Sequence, residues 1–217
     1  MTYAEIERLG EVNNLLILGG IHPENKEHLP EWCETLVLLG PTSDFWADFS
    51  TSPEWLDQRP DPMDRWSERV LNAMARDLKG EAIFPFGGPP FKPFFSWALE
   101  TGQTWQSPVN LLVHSTQGLM VSYRGALALR ERLDLPPAGE RPCDTCPQPC
   151  LTACIPRALT ADRYDVPGCK AHISGEKGRE NKQLGCSVRR ACPVSQSYAR
   201  MSEQNAYHMR IFLGEDR

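Results

Sequence analysis

"CDTCPQPCLTACIP" occupies residues 143–156 and sets Cys143, Cys146, Cys150 and Cys154 within one short run of chain. The spacing is C-x2-C-x3-C-x3-C-x-P, and three more cysteines follow at Cys169, Cys186 and Cys192. Reading this run decides the architecture, because it divides a thiol-dense module at 141–217 from an α+β core at 1–140. What a protein does with so many thiols depends on compartment. The N-terminus "MTYAEIERLGEVNN" is acidic and has no basic start or long apolar stretch, so a cytoplasmic, reducing location is expected. There, dense cysteines point to metal rather than to disulfides.

An iron–sulfur cube requires three thiolates from one short loop and a fourth arriving from elsewhere. Ferredoxins meet this with C-x2-C-x2-C-x3-C-P, in which the last cysteine serves the other cluster. The present run departs twice. One extra residue lies between the second and third cysteine, and Ile155 separates the fourth from its proline. "ACPVS" at Cys192 supplies a distant Cys-Pro, whose proline turns the chain away and removes a backbone donor. The expected set for one [4Fe–4S] cluster is therefore Cys143, Cys146, Cys150 and Cys192. Cys154, Cys169 and Cys186 are left as partners for a second cluster that lacks a fourth cysteine. Three thiolates suit a three-iron cluster, or a four-iron cluster with an open or non-cysteine corner. His172 is the one imidazole near by in sequence, and a histidine in a polar stretch is more simply read as solvated. Zinc competes for C-x2-C spacing but usually takes paired, well-separated knuckles. Cys33, in "PEWCETL", reads as a small buried hydrophobe.

Composition sets the frame for the remainder. At 217 residues, 41% hydrophobic and 24% charged, the chain has the make-up of a soluble globular protein. The longest apolar runs, "LLIL" and "LVLL", are strand-sized and far below the ~20 residues of a membrane-spanning helix. Charge is uneven: residues 1–79 hold 15 acids and 7 bases, whereas 143–217 hold 8 acids and 11 bases. The basic surplus of "CKAHISGEKGRENKQLGCSVRR" reads as a field that offsets a negatively charged cofactor. It also reads as a docking surface for an acidic partner, a redox protein or nucleic acid.

The core segments carry ordinary signals. Residues 3–10 suggest a helix, and "NLLILGGIHP" and "ETLVLLGPT" suggest buried strands closed by glycine and proline. Short helical pieces are expected across 44–62. "DPMDRWSERVLNAMARDLKG" predicts a long helix with Asp61 as N-cap and Pro62 in its first turn, packed through Trp66, Val70, Ala73, Met74 and Leu78. "VNLLVHSTQGLMVSYRG" predicts a hairpin, "ALALRERLDL" a helix, and "PPAGERP" a linker. Between them "IFPFGGPPFKPFFSWALETG" is rich in proline, glycine and phenylalanine. It is a structural corner or the wall of a pocket for a large flat ligand. The candidate wall is Phe84, Phe86, Gly87, Gly88, Phe91 and Trp97, with Tyr123 beyond.

From "CDTCPQPCLTACIPRAL" through "RYDVPGCKAHI" to "LGCSVRRACPVSQ" the chain resembles the twin-cluster module of epoxyqueuosine reductase, an iron–sulfur and cobalamin enzyme family related to reductive dehalogenases. In that likeness Cys169 and Cys186 match the fifth and sixth cysteines. The seventh has no counterpart, and Arg189 lies near its place. "VLLGPTSDFWADF", the 61–80 helix and the 109–125 segment are similar in order to the cobalamin-processing chaperone of animals. The resemblance implies a nitroreductase-like α+β core with an appended ferredoxin-like module, a corrinoid in the first half, and a redox partner protein. It does not carry over the queuosine reaction, because "FGGPPFKP" offers no carboxylate where the protonating acid would stand. The expectation is an iron–sulfur redox protein that relays electrons to a corrinoid-like cofactor or small substrate, whether or not it turns over. A cobalamin or flavin carrier, and a plain ferredoxin-like electron carrier, are the other classes this pattern admits.

Overall fold

The computed structural model describes residues 1–215. The chain mixes α and β elements with small antiparallel sheets, and it divides into two compact units. Unit 1 comprises 1–104 and 122–139; unit 2 comprises 105–121 and 140–217. Among the described residues no helix is long and apolar enough to cross a membrane.

Unit 1 is built on a four-stranded antiparallel sheet in the order β1-β2-β6-β3. Its strands are β1 (Leu15–Ile21), β2 (Thr35–Pro41), β3 (Glu81–Ile83) and β6 (Gly125–Leu129). Every residue of β2 and β6 is buried, which is why both read as continuous apolar runs without alternation. The register of β1 against β2 slips between Ile17 and Gly20. Gly19 there has φ +124°, and a built Cβ would meet Thr101 Cβ at 2.5 Å, so only glycine fits.

Helix α1 (Tyr3–Val12) begins at Thr2, which forms a reciprocal capping box with Glu5, and packs on β1. Helices α2 (Phe45–Phe49) and α3 (Pro53–Leu56) are the short pieces expected across 44–62. Helix α4 (Pro62–Asp77) lies against β3 and β6 through Met63, Trp66, Val70, Leu71, Met74 and Ala75. Trp66 meets Phe45 edge-on at 4.8 Å, and Trp55 packs on Trp46 at 5.1 Å, so aromatic contacts join the three helices. Two ion pairs tie α3 and the turn after it to α4. Arg65 clasps Asp57 at 2.7 and 2.8 Å, and Arg69 clasps Glu54 at 2.5 and 3.0 Å.

Three expectations are corrected. Asp61 precedes α4 but adopts φ 52°, ψ 46° and makes no side-chain cap; Pro62 alone marks the start. Residues 125–129 are strand β6 rather than a helix, held between β2 and β3 by pairing with both. The 109–125 hairpin is replaced by two separate partners. β5 (Leu112–His114) pairs with β4 (Thr104–Gln106), His114 and Gly118 close a tight turn, and the chain then leaves for β6. "FFSWALE" does form helix α5 (Phe94–Glu100).

Unit 2 combines the 105–121 segment with helices α6 (Val166–Ser174), α7 (Arg179–Leu184), α8 (Ser187–Ala191), α9 (Pro193–Tyr198) and α10 (Ser202–Leu213). Asp165 caps α6 by accepting from the Gly168 amide at 3.0 Å. One core cluster of unit 2 is Val109, Val113, Leu119, Leu159 and Val188 around Cys150 and Cys192, with Cys143, Cys154 and Cys186 packed against it.

Candidate metal centre

Three pieces of chain converge in that core. The loop 143–150 brings Cys143, Cys146 and Cys150, the last in a 3-10 turn at Pro149–Leu151. The junction of α8 and α9 brings Cys192, and the 105–121 segment brings Ser107, Val113 and Leu119. All of these line one cavity with Gln148, Pro149 and Pro193. Burial pushes the Cys143 and Cys150 thiols up; beyond that Arg141 lowers Cys143 while Cys146 and Cys192 raise it, and Cys143, Cys192 and Cys146 raise Cys150. The Cys146 sulfur accepts the Gln148 amide at 3.3 Å.

A second group forms beside it. Burial raises the Cys169 thiol, the nearby Tyr164 works against that rise, and Cys186 and Cys154 act on it by charge. Cys186 and Cys192 stand at the two ends of α8; Cys192 lines the cavity and Cys186 does not. Among the described residues no three His, Cys, Asp or Glu side chains converge closely enough to hold a single metal ion. A cube gives each thiolate its own iron, so its thiols stand further apart than the four that share one zinc at about 2.3 Å.

Positive charge lies close to these sulfurs. Arg189 donates to the Leu119 carbonyl, and Arg200 donates to the Met120 carbonyl at 3.0 Å and to Asn205 Oδ1 at 2.6 Å. Among the described residues neither meets a carboxylate. Burial, then the Arg189 charge, lowers Arg200 to about 10. Ser107 is buried, and its hydroxyl, at the cavity wall, has no hydrogen-bond partner among the described residues. Gly118 adopts φ +57°, and a Cβ there would lie 2.5 Å from the Ser195 amide nitrogen and 3.0 Å from Cys192 Sγ.

Of the remaining sequence candidates, Cys33 is fully buried in unit 1, with its sulfur 3.4 Å from the Thr35 carbonyl. His172 sits in α6, and its buried Nε2 has no hydrogen-bond partner among the described residues. The seven residues of the expected flat-ligand wall are distributed. Phe84 and Phe86, ring centroids 5.2 Å apart, line a cleft of about 560 Å³ with Lys92. Trp97 lines another of about 810 Å³, with His22, Glu27, His28 and Glu100. Gly87, Gly88, Phe91 and Tyr123 line neither. Phe91 is exposed, and the Tyr123 hydroxyl pairs with Thr104 Oγ1 at 2.7 Å, burial pushing it up to about 12.

Sequence reasoning missed Ser107, Gly118, Tyr164, Arg200 and the His22–His28 cleft. Only Tyr164 carried a signal, its place five residues before Cys169 in "RYDVPGC". Comparison of the chain with protein-family models, with characterised proteins and with solved structures found no match.

Proposed function

We propose that this chain is an iron–sulfur redox protein in which Cys143, Cys146, Cys150 and Cys192 hold a [4Fe–4S] cluster. One observation carries the reading: thiols from two distant stretches line the same cavity. The residues around them suit that group. Once bound, the cluster supplies one-electron transfer. The thiols shed their protons to ligate iron, and those protons pass to solvent. Arg189 and Arg200, without carboxylates among the described residues, offset the negative charge of four thiolates and the sulfide cage. The Ser107 hydroxyl has a cluster sulfur as its missing acceptor.

The acceptor would be a small substrate or cofactor held by unit 1. The cleft of about 810 Å³ is within the size range of ligand pockets, about 300–1,000 Å³. Its wall of His22, Glu24, Glu27, His28 and Glu100 is polar. A flat corrinoid finds less support, since its expected aromatic wall is divided. It rests on the resemblance, as does the nitroreductase-like core; the ferredoxin-like module rests also on the cysteine spacing, the redox partner on the basic surplus of the cysteine region, and the cytoplasmic location on the acidic N-terminus and the free thiols.

The test is anaerobic purification followed by iron and sulfide analysis and electron paramagnetic resonance. At least four irons per chain, with the spectrum of a reduced cube, support the proposal. Colourless protein, or protein carrying tetrahedral zinc, overturns it. Titration with cobalamin then separates the acceptors: a shifted corrinoid spectrum restores that cofactor, and an unchanged one leaves the polar cleft for a smaller substrate.

A further inference from the structure

The acidic surplus of residues 1–79 plays no part in the cysteine chemistry. Two of those acids, Glu24 and Glu27, line the cleft of about 810 Å³ in unit 1, and Glu100 joins them from the end of α5. No lysine or arginine lines this cleft. Lys26, the only lysine or arginine between β1 and β2, donates to the Glu34 carboxylate at 3.3 Å and the Glu31 carbonyl at 2.9 Å. Lys92 lines the neighbouring cleft instead. Among the described residues none of the three glutamates forms an ion pair.

A second observation at the same wall points to a ligand. Trp97 is only 5% exposed, and among the described residues its indole N–H makes no hydrogen bond. A buried indole usually finds a partner for that donor. The other buried polar side chain of the wall, Thr101, is satisfied: it donates to the Ala98 carbonyl at 2.7 Å and accepts the Gln103 amide at 3.1 Å. His22 Nε2 lies 3.0 Å from the Leu133 carbonyl, which can only accept, so in neutral His22 Nδ1 is left as an acceptor. Apolar surface comes from Pro93, Leu135 and Pro136.

We propose that this cleft binds an organic cation, an amine or guanidine with an apolar body and one oxygen acceptor. The carboxylates and His22 receive its N–H donors, and its oxygen takes the Trp97 N–H. The inference rests on the reading of unit 1 as the place where the acceptor is held, and it gives that substrate a class. Among the described residues no three His, Cys, Asp or Glu side chains stand close enough to share one metal ion, so an extended cation suits the dispersed charge better than a bare ion. The wider acidic surplus draws cations toward this half of the chain.

Calorimetric titration of full-length, anaerobically prepared protein at neutral pH and low salt tests it. Three probes of one shape are used: tyramine, the uncharged N-acetyltyramine, and the anionic 3-(4-hydroxyphenyl)propionate. Tyramine should bind at least about tenfold more tightly than N-acetyltyramine, and the anion should give no heat. Glu27→Gln and Glu100→Gln should each weaken tyramine about two- to fivefold, the effect expected of exposed charges. Trp97→Phe, with its melting temperature checked, should weaken tyramine several-fold while keeping the preference for the cation. Equal affinity for tyramine and N-acetyltyramine, or no heat from any probe, would overturn the proposal. So would tyramine binding unchanged in both glutamate variants. An unchanged affinity in folded Trp97→Phe would remove Trp97 from it. Iron in the same samples keeps the two readings apart. Iron-free protein that still prefers tyramine sinks the redox reading alone, and iron-loaded protein without that preference sinks this one alone.

Discussion

Gly118 and Cys192 approach so closely that a single methyl group on the glycine would stand 3.0 Å from the cysteine sulfur. The same methyl would meet the Ser195 amide nitrogen at 2.5 Å, and φ +57° disfavours any L side chain. The turn at 114–118 therefore fixes where the distant thiol sits. Gly118→Ala should cost about 1–2 kcal/mol from the left-handed backbone alone. It should also lower the iron content of anaerobic protein by displacing Cys192. Full iron occupancy with an unchanged melting temperature would remove Gly118 from the site.

Cys192 and Cys33 are both buried, yet their substitutions should separate. Cys192→Ala should abolish the four-iron signal. Cys33→Ala should leave iron content unchanged and cost roughly 1 kcal/mol, because it removes one weak hydrogen bond and a little packing in the sheet. Iron lost equally from both variants would mean that the cluster depends on global stability rather than on specific thiols.

Ser107 offers a two-sided test. An unsatisfied buried hydroxyl costs about 1–3 kcal/mol, so Ser107→Ala should hold or raise the melting temperature of iron-free protein. In loaded protein the same change removes a donor to sulfur and should lower the midpoint potential. A potential that does not move would mean that the hydroxyl points away from the bound group.

Acid should weaken unit 1 through Glu54. The Arg69 hydrogen bonds hold its carboxyl below the ordinary range, outweighing its burial. A depressed carboxylate contributes stability above its unfolded pKa and loses it as pH falls through the folded value. Asp57, drawn down to about 2 by Arg65, acts in the same direction. Melting temperature measured from neutral to acidic pH should therefore fall steadily in the wild type. Glu54→Gln should start lower and decline less. Parallel curves would show that this pair contributes nothing.

How much of this was legible in the chain differs by element. β1 and β2 announced themselves as short apolar runs and α4 through its helical period, each with glycine or proline at an end. β6 did not. "ALAL" is small and apolar enough for either state, and what makes it a strand is pairing with β2, nearly ninety residues earlier. The supposed hairpin failed for a related reason, since β5 takes β4 as its strand partner and only His114 bridges forward, to Gly118. The spacing offered Cys143, Cys146, Cys150 and Cys192 as one set, and these four line one cavity. The neighbours of those cysteines were not readable. Ser107 and Gly118 reach the cavity through tertiary folding, which leaves no mark on local sequence.

The route of the chain has a practical outcome. Residues 105–121 belong with the cysteines although sheet strands β3 and β6 flank them in sequence. A gene fragment starting at 141 would encode seven thiols but omit Val109, Val113, Gly118 and Leu119. Such a piece could not be transplanted by one splice. Moving the thiol half to a new host would require two inserts, rejoined across the gap that β6 now fills.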